Sequence, residues 1–320
     1  MTVLVVRFGA LGDVVLTTPL LRAIRRSHPE AAITVVTKAR WAPILAHHPS
    51  IARVELLAEG EALTALAARL RATPWDYRLD LHGSLRARAL RLLVGGRWRG
   101  WRRPRLRRAL LVWAGVDRFS PITPMAEHYF AAARDLAVQP DGRPAEIIWS
   151  TSDEARCSDV APPSPYVAIV PGAAHATKRW PPQHWLQLAG RLRAAGFHVA
   201  ALGAEGERGL VPSADITDLC GLDLGVTAAV LHHAAVTVAG DTGLLHVATA
   251  VGTPVVALFG PTSPSFGYAP YRATARILAR PLPCRPCSVY GGAHCPMRHH
   301  GCMIELTPDT VMHAVEALAP

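Results

Sequence analysis

The chain has 320 residues, 50 % of them hydrophobic, and a formal net charge of +10; that length predicts two domains of roughly 150 residues, each with its own core. No window supplies the roughly 18 uninterrupted apolar residues of a membrane span, and the opening "MTVLVVRFGALGDVV" has no basic leader and is broken by Arg7 and Asp13, unlike a signal peptide. The expectation is a cytoplasmic protein that can touch a membrane surface peripherally.

The first half opens with strand "VLVV", loop "RFGALGD" and helix "VVLTTPLLRAIRRSHP", in which Leu16, Leu20, Leu21 and Ile24 recur at helical spacing. The loop is neither a G-x-G-x-x-G fingerprint nor a Walker P-loop. Its Gly9 and Gly12 allow a tight turn and close approach to a ligand. Asp13 at the helix start has two readings, a first-turn acid favoured by the helix dipole or a carboxylate that accepts a proton. Strand "AITVVT", a helix near 42–47, strand "RVELL", helix "EALTALAARLRA" and strand "YRLDLHG" follow. Strands alternating with helices predict a parallel sheet covered on both faces.

An arginine-rich helical stretch comes next. Residues 86–108 hold ten arginines and no acid, with Trp98 and Trp101 among them. The run reads either as a solvated basic face or as a surface for phosphate-bearing partners such as anionic lipid headgroups. Nucleic acid is not expected, because no recognised nucleic-acid motif accompanies the patch.

Residues 158–166, "SDVAPPSPY", have the composition of a linker, after which the opening pattern recurs. "VAIVPGAAHATKRWPPQHWLQLAGRLRAAG" reads as strand, glycine-containing loop and amphipathic helix. Thr177 and Lys178 in that loop suit a phosphate, and lysine is scarce: Lys38 is the only other one. The competing reading of Lys178 is a solvated loop cation. Strands "HVAALGAEGE" and "VTVAGD" lead to a helix after Asp241, then to strand "VVALFGPT". Thr242, Gly243 and Leu244 offer amides at that helix start, an anion site by geometry. Asp241 would repel a phosphate and fits better as a cap or a partner of His246. His246 reads either as a donor to a phosphate or ribose oxygen or as a buried histidine. "TPDTVMHAVEALA" is a final helix with Thr307 as cap and Pro308 in its first turn. Two doubly wound α/β units predict ligands beyond the carboxyl ends of their strands, in a cleft.

Six cysteines are present, and Cys284, Cys287, Cys295 and Cys302 form C-x2-C-x7-C-x6-C. In a cytoplasmic chain such a cluster reads as a structural zinc or iron–sulfur site, or as free thiols; the spacing matches neither standard metal pattern well.

Three motifs in this order and spacing, "VLVVRFGALGD", "PGAAHATKRWP" and "GDTGLLHVATAVGTPVVALFGPT", together with "LDLHGSLRARAL" and "AEHYFAAARDLAV", resemble glycosyltransferase family 9, the heptosyltransferases of lipopolysaccharide assembly. The resemblance spans nearly the whole chain. It implies a GT-B fold of two Rossmann-like doubly wound domains facing a central cleft, with an acceptor domain at 1–157, a linker at 158–166, a nucleotide-sugar domain at 167–306 and a helix at 307–320 that packs back on the first domain. It implies an inverting enzyme that uses ADP-heptose, a glycolipid acceptor and no catalytic cofactor or metal. Asp13 matches the general base and Lys178 the lysine on the donor diphosphate, with Thr177 beside it. Gly12, Asp241, Thr242, Gly243 and His246 match donor-binding positions, and Gly260, Pro261 and Thr262 line the donor pocket. Either Glu205 or Glu207 corresponds to the acid near the nucleoside. His82, Ser84 and Arg86 stand at a strand end where an acceptor phosphate or sugar would bind. The competing functions are a nucleotide-sugar epimerase of the same fold and a non-catalytic protein of the anionic inner-membrane surface.

Overall fold

The computed structural model describes residues 1–101 and 104–319. The chain divides into two units, Met1–Arg103 with Met125–Trp149, and Pro104–Pro124 with Ser150–Pro320. The first unit holds strands β1 (Thr2–Val6), β2 (Ala32–Lys38), β3 (Arg53–Leu57), β4 (Tyr77–Asp80) and β5 (Arg99–Gly100), all parallel, in the order β3-β2-β1-β4-β5. The second holds β6 (Tyr166–Val170), β7 (His198–Ala201), β8 (Ile216–Asp218), β9 (Val236–Gly240), β10 (Val255–Leu258) and β11 (Ala275–Leu278), also parallel, in the order β11-β10-β9-β6-β7-β8.

The central strands explain themselves. "TVLVV", "YVAIV", "VTVAG" and "VVAL" are apolar without alternation and buried almost throughout, as strands covered by helices on both faces must be. The edges are shorter and wetter: β11 alternates no buried residue into either face. In the second unit Trp180, Trp185, Leu188 and Leu192 pack over the sheet with Val311, Met312 and Val315.

The strand orders fix where a ligand can sit. In the first unit the chain builds outward from β1 through β2 to β3, then returns to the other side of β1 with β4. In the second it builds from β6 through β7 to β8, then returns to the other side of β6 with β9. Such reversals open a crevice at the strands' carboxyl ends, because the connections on either side diverge. The segments after β1 and β4 in the first unit, and after β6, β7, β9 and β10 in the second, carry the candidate catalytic, donor and acceptor residues.

Three expected boundaries move. The chain enters the second unit at Ser150, ahead of the proline-rich segment read as a linker. There Ser150 and Asp153 form a capping box on helix Thr151–Val160, which binds helix Leu224–His233 through Arg156–Asp223 at 2.6 Å and Glu154–His233 at 2.6 Å. That helix buries only Cys157, so no apolar stripe announced it. Residues 104–124 also group with the second unit, where Leu111 and Phe119 pack on Phe266. The C-terminal helix Pro308–Glu316 groups with the second unit. Its Val311, Met312 and Val315 complete the second core, and Trp180 Nε1 donates to the Leu306 carbonyl at 2.8 Å. The arginine-rich stretch is two helices, Leu85–Val94 and Arg105–Ala114, with β5 between them.

Candidate active site

In the first unit, Asp13 lies in the first turn of the short helix Leu11–Val15, whose N-cap, Ala10, makes no side-chain cap bond. Its carboxylate turns to the ion pair with Arg7 and to Tyr129, whose hydroxyl donates to Oδ1 at 2.9 Å. Arg7 is buried and held by the Leu81 carbonyl, with its guanidinium 5.5 Å from the Tyr129 ring centre. A buried guanidinium needs an anion, and Asp13 supplies it, so the pairing also aims the carboxylate. Gly9 is required here: at φ +147°, a Cβ would lie 2.6 Å from Trp41 Nε1.

After β4, Asp80 Oδ1 accepts the amides of His82 and Gly83 at 2.9 Å each, shaping the turn. Ser84 Oγ accepts from the Ala87 amide at 3.2 Å, so its first role is to cap helix Leu85–Val94. His82 sets its ring edge against Phe8, 5.3 Å between centres. Arg86 instead lines a cavity of about 560 Å³ together with Lys38, Arg40, Glu59 and Glu61, at the ends of β2 and β3. Lys38 and Arg40 carried no motif, and only the sheet brings them to Arg86.

The basic run is not one face. Trp98 packs on the first core and Trp101 is buried, donating to the Leu81 carbonyl at 3.1 Å and stacking on His128. Arg99 pairs with Asp135. Arg108 is buried in the second unit, donates to the Phe266 carbonyl at 3.1 Å and lies 5.7 Å from the ring centres of Phe266 and Tyr268. Arg102 and Arg103 of the run lie outside the described residues.

The second unit gathers the donor candidates at its β6/β9 reversal. Lys178 Nζ reaches Asp241 Oδ2 at 2.7 Å and the Asp241 carbonyl at 3.1 Å. Thr262 Oγ1, from the loop after β10, donates to the same Oδ2 at 2.8 Å. Asp241 thus ties three loops together. The ammonium has three protons, so this geometry leaves one for a ligand. Thr242 is the N-cap of helix Gly243–Ala250 without a side-chain cap bond, and its buried Oγ1 has no hydrogen-bond partner among the described residues. His246 is buried on the first turn with its ring 6.2 Å from that of Tyr268.

The two glutamates now separate. Glu205 is exposed and held below its usual range by a hydrogen bond from Arg208. Glu207 accepts the Ala204 amide at 2.9 Å and fills the space in front of Gly172, where a Cβ would come 2.1 Å from its Cδ. Glu207 therefore belongs with the loop after β6. The Thr177 hydroxyl is engaged by Gly292, donating to its carbonyl at 3.1 Å and accepting its amide at 2.8 Å. Gly260 and Pro261 act through their backbones. The Gly260 carbonyl accepts from Arg285, and the Pro261 carbonyl accepts the amides of Cys287 and Ser288 at 3.1 and 3.2 Å. A Cβ on Gly260 would meet Met303 Sδ at 2.4 Å.

Of the four clustered cysteines, Cys284, Cys287 and Cys295 are partly exposed and Cys302 is buried. Among the described residues no group of three or more His, Cys, Asp or Glu side chains is placed to hold a metal ion. Cys284 Sγ meets His299 Nε2 at 3.8 Å, whereas Cys302 is buried in helix Gly301–Ile304 beside Gly260, and its thiol is pushed up to about 11 by burial. Cys302 thus serves the second core, along with Met303. All six thiols are free.

The family model of glycosyltransferase family 9 (heptosyltransferase) matches residues 63–297. Lipopolysaccharide heptosyltransferase 1 of Pseudomonas aeruginosa is 31 % identical, covering 90 % of this chain and 86 % of that protein. Lipopolysaccharide heptosyltransferase 2 of Salmonella typhimurium is 27 % identical over 99 % of this chain and 98 % of its own. The structure of E. coli ADP-heptose lps heptosyltransferase II superposes with a TM-score of 0.78 at 26 % identity, covering 99 % of this chain and 98 % of that one. These matches, with the two doubly wound parallel sheets of the GT-B class, establish that the chain belongs to glycosyltransferase family 9 and is a glycosyltransferase.

Proposed function

We propose that this glycosyltransferase moves a heptose from ADP-heptose to a lipopolysaccharide-core glycolipid, with inversion and without a catalytic metal. The observation that carries the reading is the Lys178–Asp241–Thr262 cluster at the β6/β9 reversal, next to a helix start with an unpartnered Thr242 hydroxyl. Related proteins named as heptosyltransferases and as ADP-heptose enzymes support the choice of sugar and nucleotide.

In this mechanism an acceptor hydroxyl attacks the anomeric carbon from the face opposite the nucleoside diphosphate. Asp13 takes the hydroxyl proton as the new bond forms, a step worth roughly 10²–10⁴-fold when the base is positioned. Arg7 and Tyr129 hold the carboxylate, so that its reorientation does not add to the barrier. On the leaving side, the third Lys178 proton, the Thr242 hydroxyl and the amides of Gly243 and Leu244 meet the charge growing on the diphosphate. With a cation and a helix terminus in place, that charge is met without a divalent ion. Glu207, beside Gly172, is the acid assigned to the nucleoside.

A thermal-shift series over nucleoside diphosphates and nucleotide sugars tests the donor. ADP and ADP-heptose should stabilise most, and a preference for UDP or GDP would replace the nucleotide. Asp13→Asn should lower transfer by about 10²–10⁴-fold while leaving ADP affinity within about twofold; near-normal turnover would remove Asp13 from the base role. Donor consumption without any acceptor would favour the epimerase reading.

A further inference from the structure

We infer that helix Arg105–Ala114 of the second unit is an interfacial element that lies on an anionic lipid surface and inserts Leu106, Leu110 and Trp113 into it. The inference deepens the glycolipid-acceptor reading, but its observation is independent of the sugar chemistry. Leu106 is 82 % exposed, Leu110 40 % and Trp113 89 %. Their i, i+4, i+7 spacing puts all three on one stripe of the helix. The opposite face is the one that packs: Arg108 and Leu111 are buried, and Val112 lies against the Phe119–Phe266 cluster. At about 100° per residue, Arg105 and Arg107 flank the exposed stripe on either side, and both are exposed. Gly115 ends the helix at φ +66°, and Val116, 41 % exposed, extends the apolar surface past its end.

Leucines and an indole between two arginines suit the boundary of a bilayer, where the apolar groups enter the acyl region and the guanidiniums meet headgroup phosphates. Charge complementarity favours lipid over a second copy of this chain. Joining two such faces would crowd their four flanking arginines in a chain of net charge +10, whereas an anionic surface neutralises them. No helix among the described residues is long and apolar enough to cross a membrane, so an in-plane helix is the mode of contact that the fold supplies.

The test is flotation of the full chain with vesicles of phosphatidylethanolamine and phosphatidylglycerol, compared with phosphatidylcholine alone, in the absence of donor and acceptor. The intact protein should bind the anionic vesicles, keep part of that binding at high salt, and show a blue shift of tryptophan emission that Trp113→Phe removes. Combined Leu106→Ser, Leu110→Ser and Trp113→Ser should weaken binding about tenfold or more, as the apolar area leaves the lipid, while the variant still unfolds cooperatively, because Leu106 and Trp113 are mostly exposed and only Leu110 is partly buried. Failure to bind anionic vesicles would overturn the inference, as would unweakened binding by the triple variant that salt abolishes. Self-association relieved by the triple variant would assign the face to a second copy and equally overturn it. None of these outcomes touches donor binding or transfer, so the proposed activity stands or falls separately.

Discussion

Lys178→Ala should damage donor binding through two separable effects. The first is loss of a charge-assisted hydrogen bond to the diphosphate, worth about 1.5–3 kcal/mol, or roughly 10–150-fold in Kd. The second comes from the group left behind. Asp241 would keep only Thr262 as a side-chain partner, at 2.8 Å, with its carboxylate 13 % exposed and facing the incoming phosphates. At about 5 Å and an effective dielectric near 20, each unit of like charge adds about 3 kcal/mol of repulsion before screening. Donor affinity should therefore fall by at least about 100-fold, taking both effects together. Adding Asp241→Asn to Lys178→Ala removes the second effect and should recover about tenfold, although Asp241→Asn alone weakens binding by freeing the lysine from its anchor. Calorimetric titration with ADP over the four proteins of the cycle measures the coupling. Strictly additive losses, or an Lys178→Ala variant that binds ADP within twofold of the parent, would refute this account of the cluster.

In the first unit, Arg22 grips Asp141 at 2.7 and 3.0 Å and Glu146 at 2.9 Å, and His48 joins Glu146 at 3.2 Å. The Arg22 guanidinium pulls the Asp141 carboxyl down to about 2, so the pair stabilises the fold above the unfolded pKa near 3.8 and that support is lost as pH falls towards 2. Arg22→Met should cost about 3–5 kcal/mol at neutral pH, and the gap to the parent in urea melts should narrow steadily below pH 4; a constant gap would refute the assignment. Gly172→Ala would drive a Cβ to 2.1 Å from Glu207 Cδ and expel that carboxylate. It should weaken ADP binding as much as Glu207→Ala does, with no further loss in the double variant, read by the same titration. Burial pushes the Cys220 thiol up to about 12 and the Cys157 thiol up to about 11. A thiol reagent at pH 8 should therefore label Cys284 and Cys295 first and the buried pair only on unfolding, as mass spectrometry would report.

Much of the site was legible because strand-loop-helix units announce themselves locally. Asp13, Lys178 and Asp241–His246 follow apolar runs, and polar residues at strand ends in a doubly wound sheet are where ligands bind. Lys38, Arg40 and Tyr129 were not legible, because each reaches its neighbours from a different element: Tyr129 lies 116 residues from the carboxylate it contacts. Only the backbone shows that Glu207, and not Glu205, lies against Gly172, since two residues in one turn differ only in which way they point. Composition treats the arginine run as one charged stretch, whereas Trp98, Trp101 and Arg108 are drawn inward by aromatic and carbonyl partners elsewhere in the chain.

By itself the sequence determined the alternation of buried strands and helices, hence two parallel sheets, and it singled out the glycine-containing loops proposed to hold phosphate by local pattern, because hydrophobic periodicity and turn chemistry act over a few residues. Only the tertiary structure decided that Asp241 organises Lys178 and Thr262, that Thr177 holds Gly292, and that Cys302 and helix 308–316 complete the second core. Those outcomes depend on which strand lies beside which, and hydrogen bonds of about 3 Å between residues far apart in the chain exist only once the sheet order has brought them together.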